Sequence, residues 1–432
     1  MLQEKIKKLF LFLLLNSIPL FVSGQNVTSM SQQKDLSVAE RYQLTAHSTT
    51  LSINGDVNGD RVLDVADVTT LVSIILDKTT SASVGDVDCD GNIDVADVTA
   101  LVRICLEHPA NLNYVTIVGN EAYIISKYNA DYDIVISFAK TMKNELYSIK
   151  RVYLAANTGE KLSTDHTRAV AVLLSQQESS DMIGPMTVKT AGAPYGFSWI
   201  GGNHLYLDQN SGVKSATTNT FAIYADGKQL TAGSIYAEVV TIKAENVIFD
   251  PNIAPAAGAD ILSSPLIEES ITFSVDRGEI TVGVEHRYLK ETVVGTYYGM
   301  QSMFTSGTHF ITAEGGFSDW KANAAINIIK ADAPQLNCFS QKNTNGYYQN
   351  TVLLPYGLGK HEYVGERDKI FVWAGYKTYH VLIQNKTIHP GTQLFWKGVY
   401  NWNAPIADDD NNYIYSYRVD GVEQTMKIVK KP

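Results

Sequence analysis

Two apolar rhythms divide the chain. Between Gly55 and Leu106, apolar residues recur at helical spacing. Val68, Leu71, Val72 and Ile75 fall at i, i+3, i+4 and i+7, and Val98, Leu101, Val102 and Cys105 repeat the series. From Asn113 to Pro432 the rhythm becomes alternation. Ile271, Phe273 and Val275 alternate up to Asp276-Arg277-Gly278-Glu279, and Ile280, Val282 and Val284 alternate after it, which predicts a hairpin. Thr220–Tyr224 running into Asp226-Gly227 predicts another, and Val239–Ala244 and Ile370–Trp373 read as further strands. The expected fold is multidomain: a small all-α unit, then a large all-β region of antiparallel sheets packed as a sandwich or supersandwich. Pro, Ala and Gly cluster at 250–260, so 113–432 is either one sandwich or two subdomains divided there.

The first residues follow neither rhythm. Lys5, Lys7 and Lys8 precede the apolar run Leu9–Leu15, and Val22-Ser23-Gly24 places small residues before Gln25. That order predicts a signal peptide over 1–24. Asn16, Ser17 and Pro19 break the run short of the roughly 20 apolar residues a membrane helix needs. The expectation is a secreted, extracellular or cell-surface protein without a membrane span after cleavage. Residues 25–53, rich in Ser, Thr and Gln, read as a linker or loosely ordered arm.

The helical stretch is a repeat. Of the 22 positions from Gly55 to Leu76, 14 are identical in the copy from Gly85 to Leu106. Asp56, Asn58, Asp60, Asp64 and Asp67 occupy positions 1, 3, 5, 9 and 12 of a loop, and Asp86, Asp88, Asp90, Asp94 and Asp97 occupy them again. A hard cation takes six to eight oxygens, and this spacing delivers them, with position 7 supplying a backbone carbonyl from Val62 and Asn92. Two Ca²⁺ ions are therefore expected. Mg²⁺ suits the loops less, because it keeps its waters and demands stricter geometry. Position 6 is Gly91 in the second loop but Arg61 in the first, which predicts weaker binding in the first.

Two such loop–helix units, EF-hand-like but lacking a preceding helix and carrying Asp at position 12, resemble the type I dockerin domain over residues 54–108. The resemblance implies two bound Ca²⁺ and docking onto a cohesin module of a scaffold or cell-surface protein. It places partner contacts at loop positions 10 and 11, which are Val65, Ala66, Val95 and Ala96. Because the copies are so alike, either helix is expected to be able to lead in docking.

Composition adds limits. Formal net charge is −10, and ten aspartates fall within 54–108. No basic patch suggests nucleic acid. Three cysteines, Cys89, Cys105 and Cys338, are too few for a disulfide framework. All five Trp and 23 of the 24 Tyr follow residue 113.

Within the β region four stretches stand out: Asp181-Met182-Ile183-Gly184-Pro185, Trp199–His204, Tyr224–Lys228 and Tyr297-Tyr298-Gly299-Met300-Gln301. In that order they resemble a pattern of secreted and phage-associated β proteins. The wider region is similar to the galactose-mutarotase-like supersandwich used by many carbohydrate-active proteins, a likeness of fold alone. Sugars offer C–H faces and hydroxyl edges, so aromatic and planar polar side chains suit them. Trp199, Asn203, His204, Tyr297, Tyr298 and Gln301 are the candidate ligand-binding set, with ordinary strand and core aromatics as the alternative. His204 and Glu285 are the catalytic candidates. His286, His309, His361 and His380 are further titratable groups, and Glu285 with Asp181 or Asp208 is a conceivable carboxylate pair. No GxSxG, HExxH, P-loop or GxGxxG stands in a supporting context.

The chain thus reads as a secreted carbohydrate-associated protein, tethered through a dockerin-like module, with a β region that acts on or binds polysaccharide. As an enzyme it would be a glycoside hydrolase or polysaccharide lyase. The alternative is a non-catalytic glycan-binding or cell-surface assembly or adhesion protein.

Overall fold

The described residues of the computed structural model are 57–58, 65–77, 85–87, 92–107, 112–129, 131–156, 164–174, 179–193, 196–207, 212–252, 261–304, 307–312, 317–319, 326–328, 338–365, 370–373, 377–407, 413–419 and 422–428. The expected signal peptide (1–24) and linker (25–53) lie outside them. So do Asp56, Asp60, Val62, Asp64, Asp88, Cys89, Asp90, Gly91 and Asp208.

Both helices form where the apolar spacing places them. Helix α1 is Val65–Asp77 and α2 is Val95–Glu107. Leu71 and Leu101 are fully buried, and with Val68, Val98 and Val87 they make a small core of their own. Gly85 lets the second loop approach α1, since a Cβ there would lie 3.1 Å from Leu71 Cδ1. Asp94 and Asp97 cap α2 reciprocally: Asp94 Oδ1 accepts from Ala96 N at 2.7 Å, and Asp97 Oδ2 accepts from Asp94 N at 2.7 Å. Tyr236 packs against this helical core and also against Tyr114, Ile125, Val135 and Tyr153 of the β region.

Apart from short 3-10 turns the rest of the described chain is built on β-strands, and every strand pair in it is antiparallel. Both expected hairpins are present. Arg277 (φ 49°) and Gly278 (φ 78°) connect Pro265–Asp276 to Glu279–Tyr288, and Asp226 (φ 45°) and Gly227 (φ 77°) connect Ala216–Ala225 to Lys228–Leu230. Positive φ at both central residues is the turn that matches strand twist.

A ten-stranded sheet forms the centre. Val240–Phe249 and Pro265–Asp276 pair within it from Val240↔Val275 to Phe249↔Pro265, so one sheet carries the strands on either side of 250–260. A six-stranded sheet faces part of it, with Phe138 edge-on to Phe273 at 5.1 Å. Two four-stranded sheets contribute Tyr297 and Met303 to the same core, which holds Tyr288, Trp396 and Tyr400 of the large sheet.

That core also contains a row of paired polar groups. Thr218 Oγ1 donates to Asn246 Oδ1 (2.6 Å), Asn246 Nδ2 donates to Glu269 Oε1 (2.8 Å), and Glu269 Oε2 lies 2.8 Å from His286 Nε2. The four residues sit on four adjacent strands, where buried polar groups need partners. His286 is thereby a core residue.

Candidate functional site

Strand alternation builds the site. One small sheet runs Ile383–Ile388, Thr292–Tyr297, Pro185–Thr190, Ser198–Gly201. Its paired residues Ile383, Tyr297, Met186 and Ile200 all face the core. The next residues along, Gln384, Thr296, Thr187 and Trp199, pair on the opposite face. Tyr298 follows the strand end. Gly299 (φ 61°) turns the chain so closely over Leu382 that no side chain fits there.

The result is a row of aromatic rings. Trp199 stacks near-parallel with His204 (centroids 5.2 Å, 22°) and with Tyr298 (5.7 Å, 25°), and Tyr298 lies 4.3 Å from Tyr379 at 30°. Near-parallel rings touch at about 3.5 Å. The two Trp199 stacks are therefore slipped sideways by roughly 4 Å, which leaves part of each ring face uncovered. Tyr379 is buried, whereas Trp199, His204 and Tyr298 are half-buried. Phe197, two residues before Trp199, is 47% exposed, rests on Gly295 and has Lys189 Nζ 5.6 Å from its ring centre.

Polar contacts hold the row from behind. Asp181, 4% exposed, accepts from Asn203 N through Oδ1 (2.5 Å), and its Oδ2 lies 3.7 Å from Lys377 Nζ. Buried Asn144 donates through Nδ2 to Gly202 O (2.8 Å) and His204 O (2.9 Å) and accepts from Ser215 N (2.9 Å). Asn203 Oδ1 accepts from Lys143 N (3.2 Å).

The sequence-derived set is therefore divided by depth. Trp199, Asn203, His204 and Tyr298 are together at the row. Tyr297 is in the core, donating to Ile183 O (3.1 Å) and accepting from Trp396 Nε1 (2.7 Å). Burial holds its phenol well above the usual range. Gln301 is also buried, and its carbonyl accepts from Tyr400 OH at 2.7 Å. Tyr224–Lys228 forms the hairpin turn already described and contributes nothing to the row. Phe197, Lys377 and Tyr379 belong to the site without having been singled out.

The histidines and carboxylates are dispersed. His380 is fully buried beside Phe339 (4.9 Å), and burial, then His361, holds it well below its usual range. Glu285 lines a separate groove of about 250 Å³ with Glu245, Glu268, Ser270 and Arg287. Among the described residues no contact joins Glu285 to His204.

In the helical repeat the described candidate ligands are Asn58, Asp67, Asp86, Asn92, Asp94 and Asp97. Asp67 and Asp97, at position 12 of each loop, are buried and reach back to loop backbone: Asn58 N donates to Asp67 Oδ1 (3.1 Å) and Val87 N to Asp97 Oδ1 (2.6 Å). These contacts draw the ends of each loop together, and the oxygen-only donor set fits a hard cation. Among the described residues no cluster of three or more His, Cys, Asp or Glu stands ready for a metal. Val65 and Val95, where docking contacts are expected, are 57% and 63% exposed, and Ala66 and Ala96 are exposed beside them. No described helix is long and apolar enough to cross a membrane.

No family model matches the chain, and no curated protein matches it in sequence. Among solved structures it is similar to a heparan sulfate lyase of Pedobacter heparinus (9% identity, 84% of this chain, 47% of that one, TM-score 0.28). It is also similar to heparinase III (8%, 90% and 60%, TM-score 0.31) and to a Synechocystis protein (6%, 62% and 92%, TM-score 0.29). The chain spans roughly half to three-fifths of the length of the two lyases. The described β region is a large antiparallel β assembly, and likeness at this level adds nothing to its chemistry.

Proposed function

We propose that this protein is a secreted carbohydrate-associated protein that binds glycan along the aromatic row. The slipped stack of His204, Trp199 and Tyr298 carries the reading. Partly uncovered ring faces suit the C–H faces of pyranose rings, and Asn203 stands beside them for hydroxyl groups. Binding is favoured over hydrolysis, because Asp181, the carboxylate at the row, is buried against Asn203 N and Lys377. It is not placed to protonate a glycosidic oxygen, which needs a pair of carboxyls flanking the bond.

The repeat is the tether. Asp56, Asn58, Asp60, Val62, Asp64 and Asp67 would hold one Ca²⁺, and Asp86, Asp88, Asp90, Asn92, Asp94 and Asp97 a second. The ions supply the positive charge that lets so many carboxylates share a small unit. The exposed pairs Val65-Ala66 and Val95-Ala96 then face a cohesin-type module.

The test is a polysaccharide panel with the full-length protein and Trp199→Ala, scored for binding and for new reducing ends or unsaturated products. Binding that vanishes in the variant, without products, is expected. Equal binding by both proteins would remove the aromatic row from the reading. Product release would replace it with a hydrolase or lyase.

A further inference from the structure

We infer that Asp181 is the positioning residue of the aromatic row, tying the turn that carries Trp199 and His204 to the strand that carries Tyr379. What the row binds rests on the glycan reading above, but the tie is read from geometry alone.

Asp181 lies in the 3-10 turn Ser179–Met182. The residues after it are pinned to the core: Tyr400 OH shares its proton between Met182 O (2.8 Å) and Gln301 O (2.7 Å), Tyr297 OH donates to Ile183 O (3.1 Å), and Gly184 (φ 128°) has room for no side chain against Tyr297. From this fixed base the carboxylate reaches two ways. Oδ1 accepts from Asn203 N at 2.5 Å, one residue from His204. Oδ2 faces Lys377 Nζ at 3.7 Å, two residues from Tyr379 on the Lys377–His380 strand. Gly202 (φ 49°) is shaped around it, since a Cβ there would collide with Asp181 Oδ1. Trp199 and His204 belong to the segment bonded to Oδ1, and Tyr379 to the strand whose Lys377 faces Oδ2. Tyr298 stacks between Trp199 and Tyr379. Both halves of the row thus take their spacing from one buried side chain, and near neighbours at a binding site must be held to fractions of an ångström.

The test compares full-length Asp181→Ala, Asp181→Asn and Lys377→Gln by near-ultraviolet circular dichroism and by glycan affinity. Stacked Trp and Tyr rings couple optically, so the signal reports row geometry without any ligand. Asp181→Ala is expected to change that signal and to weaken binding about tenfold or more, as loss of a hydrogen bond to a charged group does. Asp181→Asn keeps an oxygen for Asn203 N but gives up the charge facing Lys377, so both readouts should fall between those of Asp181→Ala and the wild type. Should Asp181→Ala not fold, Lys377→Gln decides, by altering the signal while far-ultraviolet dichroism stays unchanged. Folded variants with a wild-type near-ultraviolet signal would overturn the inference. A changed signal in a protein that binds no glycan would leave the positioning role standing and remove the glycan reading.

Discussion

In the helical repeat, the side chains proposed to hold one ion lie within twelve consecutive residues, 86–97 for the second loop. In the aromatic row, Asp181, Trp199, Tyr298 and Tyr379 come from four separated segments. The first arrangement is specified by local spacing and by a helix start. The second needs two small sheets to pair, bury one face and turn the other outward. The helical unit has a core of few residues, Leu71 and Leu101 at its centre, whereas the row is backed by Tyr297, Trp396 and Tyr400 in the main core. The two regions should therefore fail separately and for different reasons.

The largest expected difference is in packing. Leu101→Ala should cost about 2–5 kcal/mol, because the small helical core has little capacity to collapse around the cavity. Hydrogen exchange should speed up in α1 and α2 and stay slow in Val240–Phe249 and Pro265–Asp276. Equal loss of protection in both regions would show that they unfold as one.

Calcium should separate them next. Free Ca²⁺ at about 100 times its dissociation constant should stabilise the helical unit by about 2.7 kcal/mol. Chelator should lower the helical signal and its melting temperature, Asp97→Ala should blunt that response, and glycan binding should not change. A melting curve indifferent to chelator would end the calcium reading.

Trp199→Ala should then weaken glycan binding by about 2–3 kcal/mol, roughly 30- to 150-fold, with the melting temperature almost unmoved because the ring is half-buried. The matching change beneath it, Tyr297→Phe, removes the acceptor for Trp396 Nε1 and should lower stability by about 1–3 kcal/mol. Equal effects of the two variants on binding would contradict the division of Tyr297 from Tyr298.

A last difference is pH dependence, and it belongs to the β region. Burial pushes Glu279 up to about 7 and Asp133 up to about 6. A carboxyl with a raised folded pKa holds its proton more tightly when folded. Its contribution is present below the unfolded value and is lost as pH rises through the folded one. Stability should thus fall from about pH 4 to 7, Asp133 acting in the lower part and Glu279 in the upper, and Glu279→Gln should flatten the upper part. Denaturation midpoints at pH 5 and pH 8 for both proteins measure it, and parallel pH profiles would refute the assignment.

The hairpins at 276–279 and 225–228 were readable because Arg277-Gly278 and Asp226-Gly227 carry their own backbone preference. The helices were readable because apolar spacing and capping aspartates act within one turn. Tyr297 and Tyr298 were not separable in that way. They are adjacent and chemically identical, two and one positions before Gly299. Only the pairing of Tyr297 with Met186 and Ile383 sends one ring into the core and leaves the other in the row.

By itself, then, the order of residues determined the two helices, the acidic spacing of their loops and the antiparallel β character of the remainder, because each depends on neighbours a few positions apart. Tertiary structure alone decided that Asp181, Trp199, His204, Tyr298 and Tyr379 meet, and that Glu285 stands apart in its own groove. Sheet register and core burial set those distances, and both arise from contacts between residues far apart in the chain.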